Sequence, residues 1–458
     1  MAAVDAAPPK LFLEALAHWT NLQPDKTVFT FLKDDGSEQA SVTYRGVDLK
    51  TASLAAHLLS PGSGLGLASG DRVLLVFEPG LHYIVSFIAC LRAGLVAVPV
   101  FPPDPRKLKK DMHMFATIAS NCGAKVALTS SLYNAATKMA ALKSLFTTAG
   151  GVGWPELSWL AVDELPALKV LDKALAQAGG GAAASAAATA AAPAGLVTGD
   201  RSGLAFLQYT SGSTSEPKGV MISHGNLSHN LASIIAELQA GTDTVVVSWL
   251  PQYHDMGLIG SYLGALYCGG CGFYLSPFAF LKNPLVWLQA ITAYKATHMQ
   301  VRRAREEEEE EEEGGGGRSS PLGVGHAFHM SPCVPCACHA CLPFTPRAPL
   351  IPPTPHAPHT PHAASARPPQ APNFGFALAV RRFDALKAKG QSLKPPLQLG
   401  SVRHMINAAE PVDAGDLAAF HACFEPFGLP PNVVFPTYGL AEHTVFVCSG
   451  GSQVTLPA

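Results

Sequence analysis

Residues 209–226 read YTSGSTSEPKGVMISHGN, and both fold and function turn on them. Four hydroxyl residues, Thr210, Ser211, Ser213 and Thr214, crowd around Gly212, and Pro217 leads into Lys218 and Gly219. A loop of this make-up has little bulk, many backbone N–H groups and many hydroxyl donors, which is what a polyphosphate needs around it. Residues 204–208 before it are short and apolar, like a strand, and residues 226–238 after it have helical spacing of apolar positions. The local expectation is strand, phosphate loop, helix. It is not a Walker A loop, which follows Gly-Lys with Ser or Thr; here Lys218 precedes Gly219 and Val220 comes next. A Ser/Thr/Gly run alone often marks a linker. The Pro-Lys-Gly ending between strand and helix weighs against that.

Working outward, residues 71–77 (DRVLLVF) read as a buried strand, 81–93 as a helix and 96–100 as a second strand. Strand–helix–strand with near-continuous apolar strands indicates a parallel sheet covered on both faces. Closer to the start, 11–19 has an amphipathic pattern, 27–32 and 41–44 flank an Asp34-Asp35-Gly36 turn, and 44–59 is helical in spacing. Residues 107–119 and 126–129 continue as helix and strand.

Beyond the loop, 244–249 (TVVVSW) is a strand whose exit carries His254 beside Asp255, before a helix starting near Met256. In isolation such a pair is more often a structural hydrogen bond. Residues 402–407 form a strand entering Ala408-Ala409-Glu410-Pro411, followed by a helix at 413–420 capped by Asp413. The strand at 433–436 opens into Thr437-Tyr438-Gly439-Leu440-Ala441-Glu442. Tyr438, an aromatic at a strand end, suits stacking on a base. Glu442, a carboxylate, is an oxygen donor of the kind a hard cation prefers.

At 458 residues there is room for two to four domains or subdomains. Hydrophobic residues are 48% and charged residues 14%, enough for a sizeable core. A net charge of −2 carries no nucleic-acid or membrane footprint. The longest apolar region, 73–101, is interrupted by Glu78, Pro79, His82, Arg92 and Pro99 and does not read as a membrane span. MAAVDAAPPK at the start lacks a basic region followed by an apolar one, so no secretory signal is expected. Six of ten Cys are scattered, as in a reduced, cytoplasmic protein. Residues 178–196, rich in Ala and Gly, read as a linker.

Residues 301–370 break every pattern. Arg-Arg-Ala-Arg gives way to eight consecutive Glu, four Gly, then Pro/His/Ala repeats. Such a segment cannot bury enough surface to offset ordering entropy and is expected to be disordered. A structureless loop of that length inside a compact domain is anomalous. Removing it joins ATHMQ to APNFGFALAVRRF without a break in pattern. Val codons begin GT and one Gln codon ends AG, so an unspliced intron read in frame is the expectation. Inside it, Cys333, Cys336, Cys338 and Cys341, with His326, His329 and His339, have zinc-like spacing. The biased composition supplies no ordered surroundings to support such a site.

At TSGSTSEPKGV the chain resembles the phosphate-loop signature of the adenylate-forming (AMP-binding) superfamily: acyl-CoA synthetases, luciferases and peptide-synthetase adenylation domains. Ser215 stands where many of them carry Gly. With Ser248-Trp249-Leu250-Pro251 and His254-Asp255-Met256-Gly257-Leu258-Ile259, the text looks most like the fatty acyl-AMP ligase branch. Gly70-Asp71-Arg72-Val73 and Val98-Pro99 fit the same family's N-terminal part. Ala408–Pro411 resembles its Gly-Ala-Glu-Pro-type motif, with Ala for Gly adding a methyl near the adenine. Tyr438–Glu442 matches its Tyr-Gly-Leu-Ala-Glu motif.

The resemblance implies an α/β fold, the large N-terminal domain of adenylate-forming enzymes. Two βαβ subdomains with parallel sheets covered by helices are expected: residues 1–200, then 201–300 with 371–458. The family's C-terminal domain, with its catalytic Lys, cannot be placed, so a truncated and inactive chain is expected. The implied reaction joins a fatty acid to ATP, releasing pyrophosphate, and passes the acyl group to the thiol of an acyl carrier protein, often on a polyketide synthase module. Lys218, His254 and Glu442 would carry catalysis. Thr210, Ser211, Gly212, Ser213, Thr214, Ser215 and Lys218 would hold phosphates, and Asn407, Ala408, Ala409, Glu410, Tyr438, Gly439 and Leu440 the nucleoside. Glu442 and Thr214 would hold Mg²⁺. Three alternatives remain open: a non-catalytic nucleotide- or acyl-binding relative, an aryl or amino-acid adenylating enzyme, and an acyl-CoA synthetase. No nucleic acid and no membrane-spanning segment enter this reading.

Overall fold

Apolar runs of four to seven residues become strands, and the amphipathic segments between them become the covering helices. The computed structural model describes residues 10–103, 108–144, 155–177, 200–210, 217–301, 374–408 and 412–449, all within one compact unit. The linker at 178–196, the Cys333–Cys341 cluster and, apart from the strand residue Val301, the proposed intron lie outside them. No described helix is long and apolar enough to cross a membrane.

The described strands are β1 (Thr27–Leu32), β2 (Glu38–Thr43), β3 (Arg72–Leu75), β4 (Val96–Pro99), β5 (Val126–Thr129), β6 (Ser158–Ala161), β7 (Leu204–Thr210), β8 (Lys218–Ser223), β9 (Val245–Ser248), β10 (Cys271–Tyr274), β11 (His298–Val301), β12 (His404–Ala408), β13 (Val434–Gly439) and β14 (Phe446–Ser449). They build two sheets, one of eight strands in the order β14-β13-β12-β11-β9-β10-β1-β2, the other of six in the order β6-β5-β3-β4-β7-β8. Pairing is parallel except at the edges, where β2, β8 and β14 run antiparallel to their neighbours. Central strands are buried on both faces, which is why β3 and β9 read as unbroken apolar text.

The sheets cut across the division at residue 200 expected from the sequence. β1 and β2 join the eight-stranded sheet, and β7 and β8 join the six-stranded one. A helix, Leu81–Arg92, lies between the sheets, touching β1 on one side and β3, β4 and β5 on the other. Every residue from Tyr83 to Arg92 is buried, as a helix covered all round must be. One large core therefore runs through both sheets, with a smaller one on the far face of the six-stranded sheet.

Two local expectations are corrected. The loop after β7 does not lead straight into a helix. It closes an antiparallel hairpin, with Thr210 opposite Lys218, and the helix starts only at His224. The missed signal is the alternation of Val220 and Ile222 with polar or exposed neighbours, a period-two strand. Second, the helix expected near Met256 is a π-helix, Met256–Leu263, running into an α-helical turn at Gly264–Tyr267. Gly260, within this π-helix, lines the cavity described below.

Candidate functional site

Because β9, β11, β12 and β13 are parallel, the chain leaves all of them along one edge of the eight-stranded sheet. In open α/β sheets this edge, where strand order reverses, is where ligands bind. Here the order reverses at β9: β10 lies on one side of it and β11 on the other.

The exit from β9 is rigidly held. Trp249 is fully buried and stacks on Phe280, with ring centroids 3.8 Å apart. Gln252 spans the two sheets: Gly80 N–H donates to its Oε1 at 2.8 Å, and its Nε2 donates to the Gly80 carbonyl at 2.9 Å. Gln208, on β7, donates to the Tyr253 carbonyl at 3.2 Å. The β9 loop is thus tied to the strand that enters the hairpin. Gly257 is obligatory, because a Cβ there would lie 2.1 Å from the Pro251 carbonyl oxygen.

His254 and Asp255 sit at this exit, His254 Nδ1 being 3.2 Å from Asp255 Oδ1. That oxygen also accepts the Met256 N–H at 2.7 Å, capping the π-helix. Burial pushes the Asp255 carboxyl up to about 6; the Met256 hydrogen bond opposes this and the nearby Glu442 carboxylate adds to it. Glu442 lies in the 3-10 turn Ala441–His443, which packs against β8. Its carboxylate is exposed, with no hydrogen-bond or ion-pair partner among the described residues. A buried carboxyl raised in this way and an exposed carboxylate close to it are oxygen donors of the kind a hard cation prefers.

Thr210 and Lys218 face each other at the base of the hairpin, and Lys218 is exposed. Next to them Gly219 lies under the Tyr209 ring, where a Cβ would meet the ring at 2.9 Å. Ser211, Gly212, Ser213, Thr214 and Ser215 fall outside the described residues, as do Ala409 and Glu410. Asn407 is fully buried at the end of β12, and Ala408 pairs with Thr437 on β13. Tyr438 follows, 59% exposed, an unusual state for a tyrosine on a strand. Gly439 is fixed by closeness: a Cβ would lie 2.0 Å from the Val445 carbonyl oxygen. Leu440 leads from β13 into the Glu442 turn.

Below this edge lies a cavity of about 230 Å³. Asp255, Met256, Ala408 and Gly439 line it with the apolar Ile234, Leu238 and Ile406 and the polar Glu237 and Ser449. The helix His224–Glu237 supplies one side, held to β14 by Asn230, which donates to the Phe446 carbonyl at 2.8 Å and accepts its N–H at 3.1 Å. Sequence reading missed Gln252, Asn230 and Glu237. Asn230 left a trace, a polar residue on the buried face of its helix. Gln252 left none, since its partner is 172 residues away.

Among the described residues, Thr210 and Lys218 pair on the hairpin, Asp255, Ala408 and Gly439 line one cavity, and the turn bearing Glu442 packs against β8. With this geometry in hand, the family follows. Residues 16–304 match the family of AMP-binding enzymes, and the chain belongs to it. It is 28% identical to a medium-chain fatty-acid–[acyl-carrier-protein] ligase, JamA, of Moorena producens, covering 95% of this chain and 55% of that one. It is also 28% identical to a long-chain fatty-acid–AMP ligase of Mycobacterium marinum, covering 98% and 58%. Among solved structures, a fatty acyl-adenylate ligase from L. pneumophila, in complex with acyl adenylate and pyrophosphate, superimposes with a TM-score of 0.66 at 28% identity, covering 96% of this chain and 57% of that one. The chain therefore spans somewhat over half the length of the relatives it matches. The relatives named here are themselves fatty-acid ligases.

Proposed function

We propose that this chain binds ATP and a fatty acid, joins them as an acyl adenylate with release of pyrophosphate, and serves transfer of the acyl group to an acyl carrier protein thiol. The observation that carries this reading is the largely apolar cavity lined by Asp255, Ala408 and Gly439. A fatty acid in it would present its carboxylate where a nucleotide held by the β7–β8 hairpin and Tyr438 would present its α-phosphorus. Two relatives are medium-chain fatty-acid–[acyl-carrier-protein] ligases, which supports the same pairing of fatty acid and carrier protein.

The chemistry needs no side-chain nucleophile. A carboxylate oxygen attacks the α-phosphorus, a new C(O)O–P bond forms, and the α–β bridging bond breaks to free pyrophosphate. Catalysis is positioning and charge neutralisation. In this reading Lys218, Thr210 and residues 211–215 neutralise the departing phosphates. Asn407, Ala408, Ala409, Glu410, Gly439 and Leu440 enclose the nucleoside, and Tyr438 stacks on its base. His254, held by Asp255, shapes the junction of acyl and nucleotide sites. Glu442 fits a Mg²⁺ role, with Thr214 as second ligand, because its exposed carboxylate is unpaired among the described residues and adds to local negative charge. Bound Mg²⁺ would screen the phosphates during their departure.

The test is an ATP–pyrophosphate exchange assay with a panel of fatty, aryl and amino acids, followed by transfer to holo acyl carrier protein or coenzyme A. Exchange with fatty acids and preference for the carrier protein are expected. Exchange only with aryl or amino acids, or nucleotide binding with no exchange in any form of the protein, would overturn the reading.

Residues 301–370 carry their own proposal. β11 ends at Val301, the next helix is Phe374–Ala388, and β12 runs parallel to β11. This is a strand–helix–strand crossover whose first connection usually takes about two to six residues. Without the insert it has that length, which favours an intron. A transcript sequenced across the junction and found always to contain the segment would refute it.

A further inference from the structure

A second, smaller cavity of about 20 Å³ adjoins the first, and Ile234, Leu238, Gly260 and Ile406 line both. Two elements fix their order. On β12, Ala408 lines only the larger cavity and His404 only the smaller, while Ile406, between them, lines both. Alternate residues of a strand share a face, so the two spaces follow one another along the sheet with Ile406 at their border. The π-helix and the turn after it repeat the order: Met256 lines the larger, Gly264 the smaller, and Gly260 between them lines both.

The border between the cavities is made of few side chains. Gly260 contributes backbone only. Ile234 and Leu238 stand one helical turn apart, so they close the border from the helix side, and Ile406 closes it from the sheet. All three are buried and wholly apolar. Elsewhere the larger cavity is lined by Glu237 and Ser449, and the Ser449 hydroxyl donates to the Glu237 carboxylate. An alkyl end laid there would strip water from a carboxylate, which is costly. At Ile406 it meets apolar atoms, and its burial is favourable.

We infer that Ile406 is the stop that sets the longest acid the site accepts, and that the preferred acid is an unbranched one of medium length. The inference rests on the fatty-acid reading above and names the substrate class within it. An apolar cavity of about 150 Å³ takes one benzene ring, so a space of about 230 Å³ takes an alkyl chain of roughly nine carbons. A longer chain must displace Ile406 or leave its end in water. Removing the Ile406 side chain joins the two cavities, and the added room lies in line with the first.

The test uses acyl-sulfamoyl adenosines of every chain length from acetyl to palmitoyl, titrated into the full chain by calorimetry. In the wild type each added methylene should tighten Kd about fourfold up to roughly nine carbons, and further ones should add nothing. Ile406→Ala removes roughly three carbons of side chain and should move that break to about twelve carbons or beyond. Ile406→Val removes one and should move it by about one carbon. The acetyl analogue is too short to reach residue 406; it reports whether each variant keeps an intact nucleotide site and should bind all three proteins within about twofold. Should Ile406→Ala fail that control, the milder Ile406→Val decides alone. Affinity that keeps rising to palmitoyl in the wild type, or a break that stays put in a variant that passes the control, would overturn the inference and leave fatty-acid binding standing. Affinity that never rises with chain length, or no binding of any analogue, would overturn the fatty-acid reading and this inference with it.

Discussion

The two halves of the site are built on opposite plans. On the proposed nucleotide side, Lys218, Tyr438 and Glu442 stand exposed on a hairpin strand, near a strand end and on a turn. On the cavity side, Ile234, Leu238 and Ile406 are buried between a helix and a sheet. Exposed groups owe little to the folded state and are free to meet a charged ligand. Buried walls hold their shape through packing, so changes there are felt in stability first. The difference separates substitutions that break the scaffold from those that break binding.

The largest expected effect lies where the plans meet. Gly257, the second residue of the π-helix, has its Cβ position within 2.1 Å of the Pro251 carbonyl oxygen. Gly257→Ala must displace the loop bearing His254, and a loss of about 3 kcal/mol in folding stability is expected from such overpacking. A lower urea midpoint at unchanged slope would report it. Lys218→Ala, on the exposed side, should leave that midpoint in place. If both variants unfold alike, the contrast between scaffold and surface is wrong.

Next come the two buried titrating groups, whose signs are opposite. Asp255 keeps its proton up to about pH 6 in the folded protein but only to 3.8 when unfolded. Between those values the folded state binds more protons, so stability falls as pH rises. Asp255→Asn should remove this loss, which is of order 3 kcal/mol at most for a shift of about two pH units. Burial pushes His298 down from 6.5 to about 4. Between those values the unfolded state binds more protons, so stability falls as pH drops. The wild-type profile should therefore be flattened from pH 4 to 6, and Asp255→Asn should expose a steeper acid-side loss from His298. Superimposable profiles of the two proteins would show that Asp255 does not titrate in this window.

How much of this was legible beforehand depended on the range of the interaction. Helices at 44–59 and 81–93 and strands at 27–32 and 126–129 could be placed closely because burial repeats locally in their residues. The hairpin strand β8 was missed because a phosphate loop invites a helix after it, and only pairing with β7 fixes it as a strand. The membership of β1 and β2 in the far sheet was illegible, since parallel pairing of β1 with β10 joins residues more than 240 apart. Glu442 and Lys218 are proposed from motif text, whereas Asn230 and Gln252 are engaged by neighbours that chain order does not reveal.

The smallest change in stability should accompany a clear change in binding. Tyr438 is 59% exposed, and its ring is not among the described aromatic pairs. Removing an exposed side chain that packs on nothing shifts stability by about 0.5 kcal/mol or less. If adenine stacks there, Tyr438→Ala gives up about 0.5–1.5 kcal/mol of ring–base contact, or roughly three- to tenfold in ATP affinity. Tyr438→Trp keeps a π face at the same place and should retain affinity. Calorimetric titration of ATP into the three proteins distinguishes the outcomes. An unchanged Kd in Tyr438→Ala would move the base away from β13, and the exposed ring would then need another explanation. A weakened Kd at constant urea midpoint would separate binding from folding at a single residue, as the two-plan contrast requires.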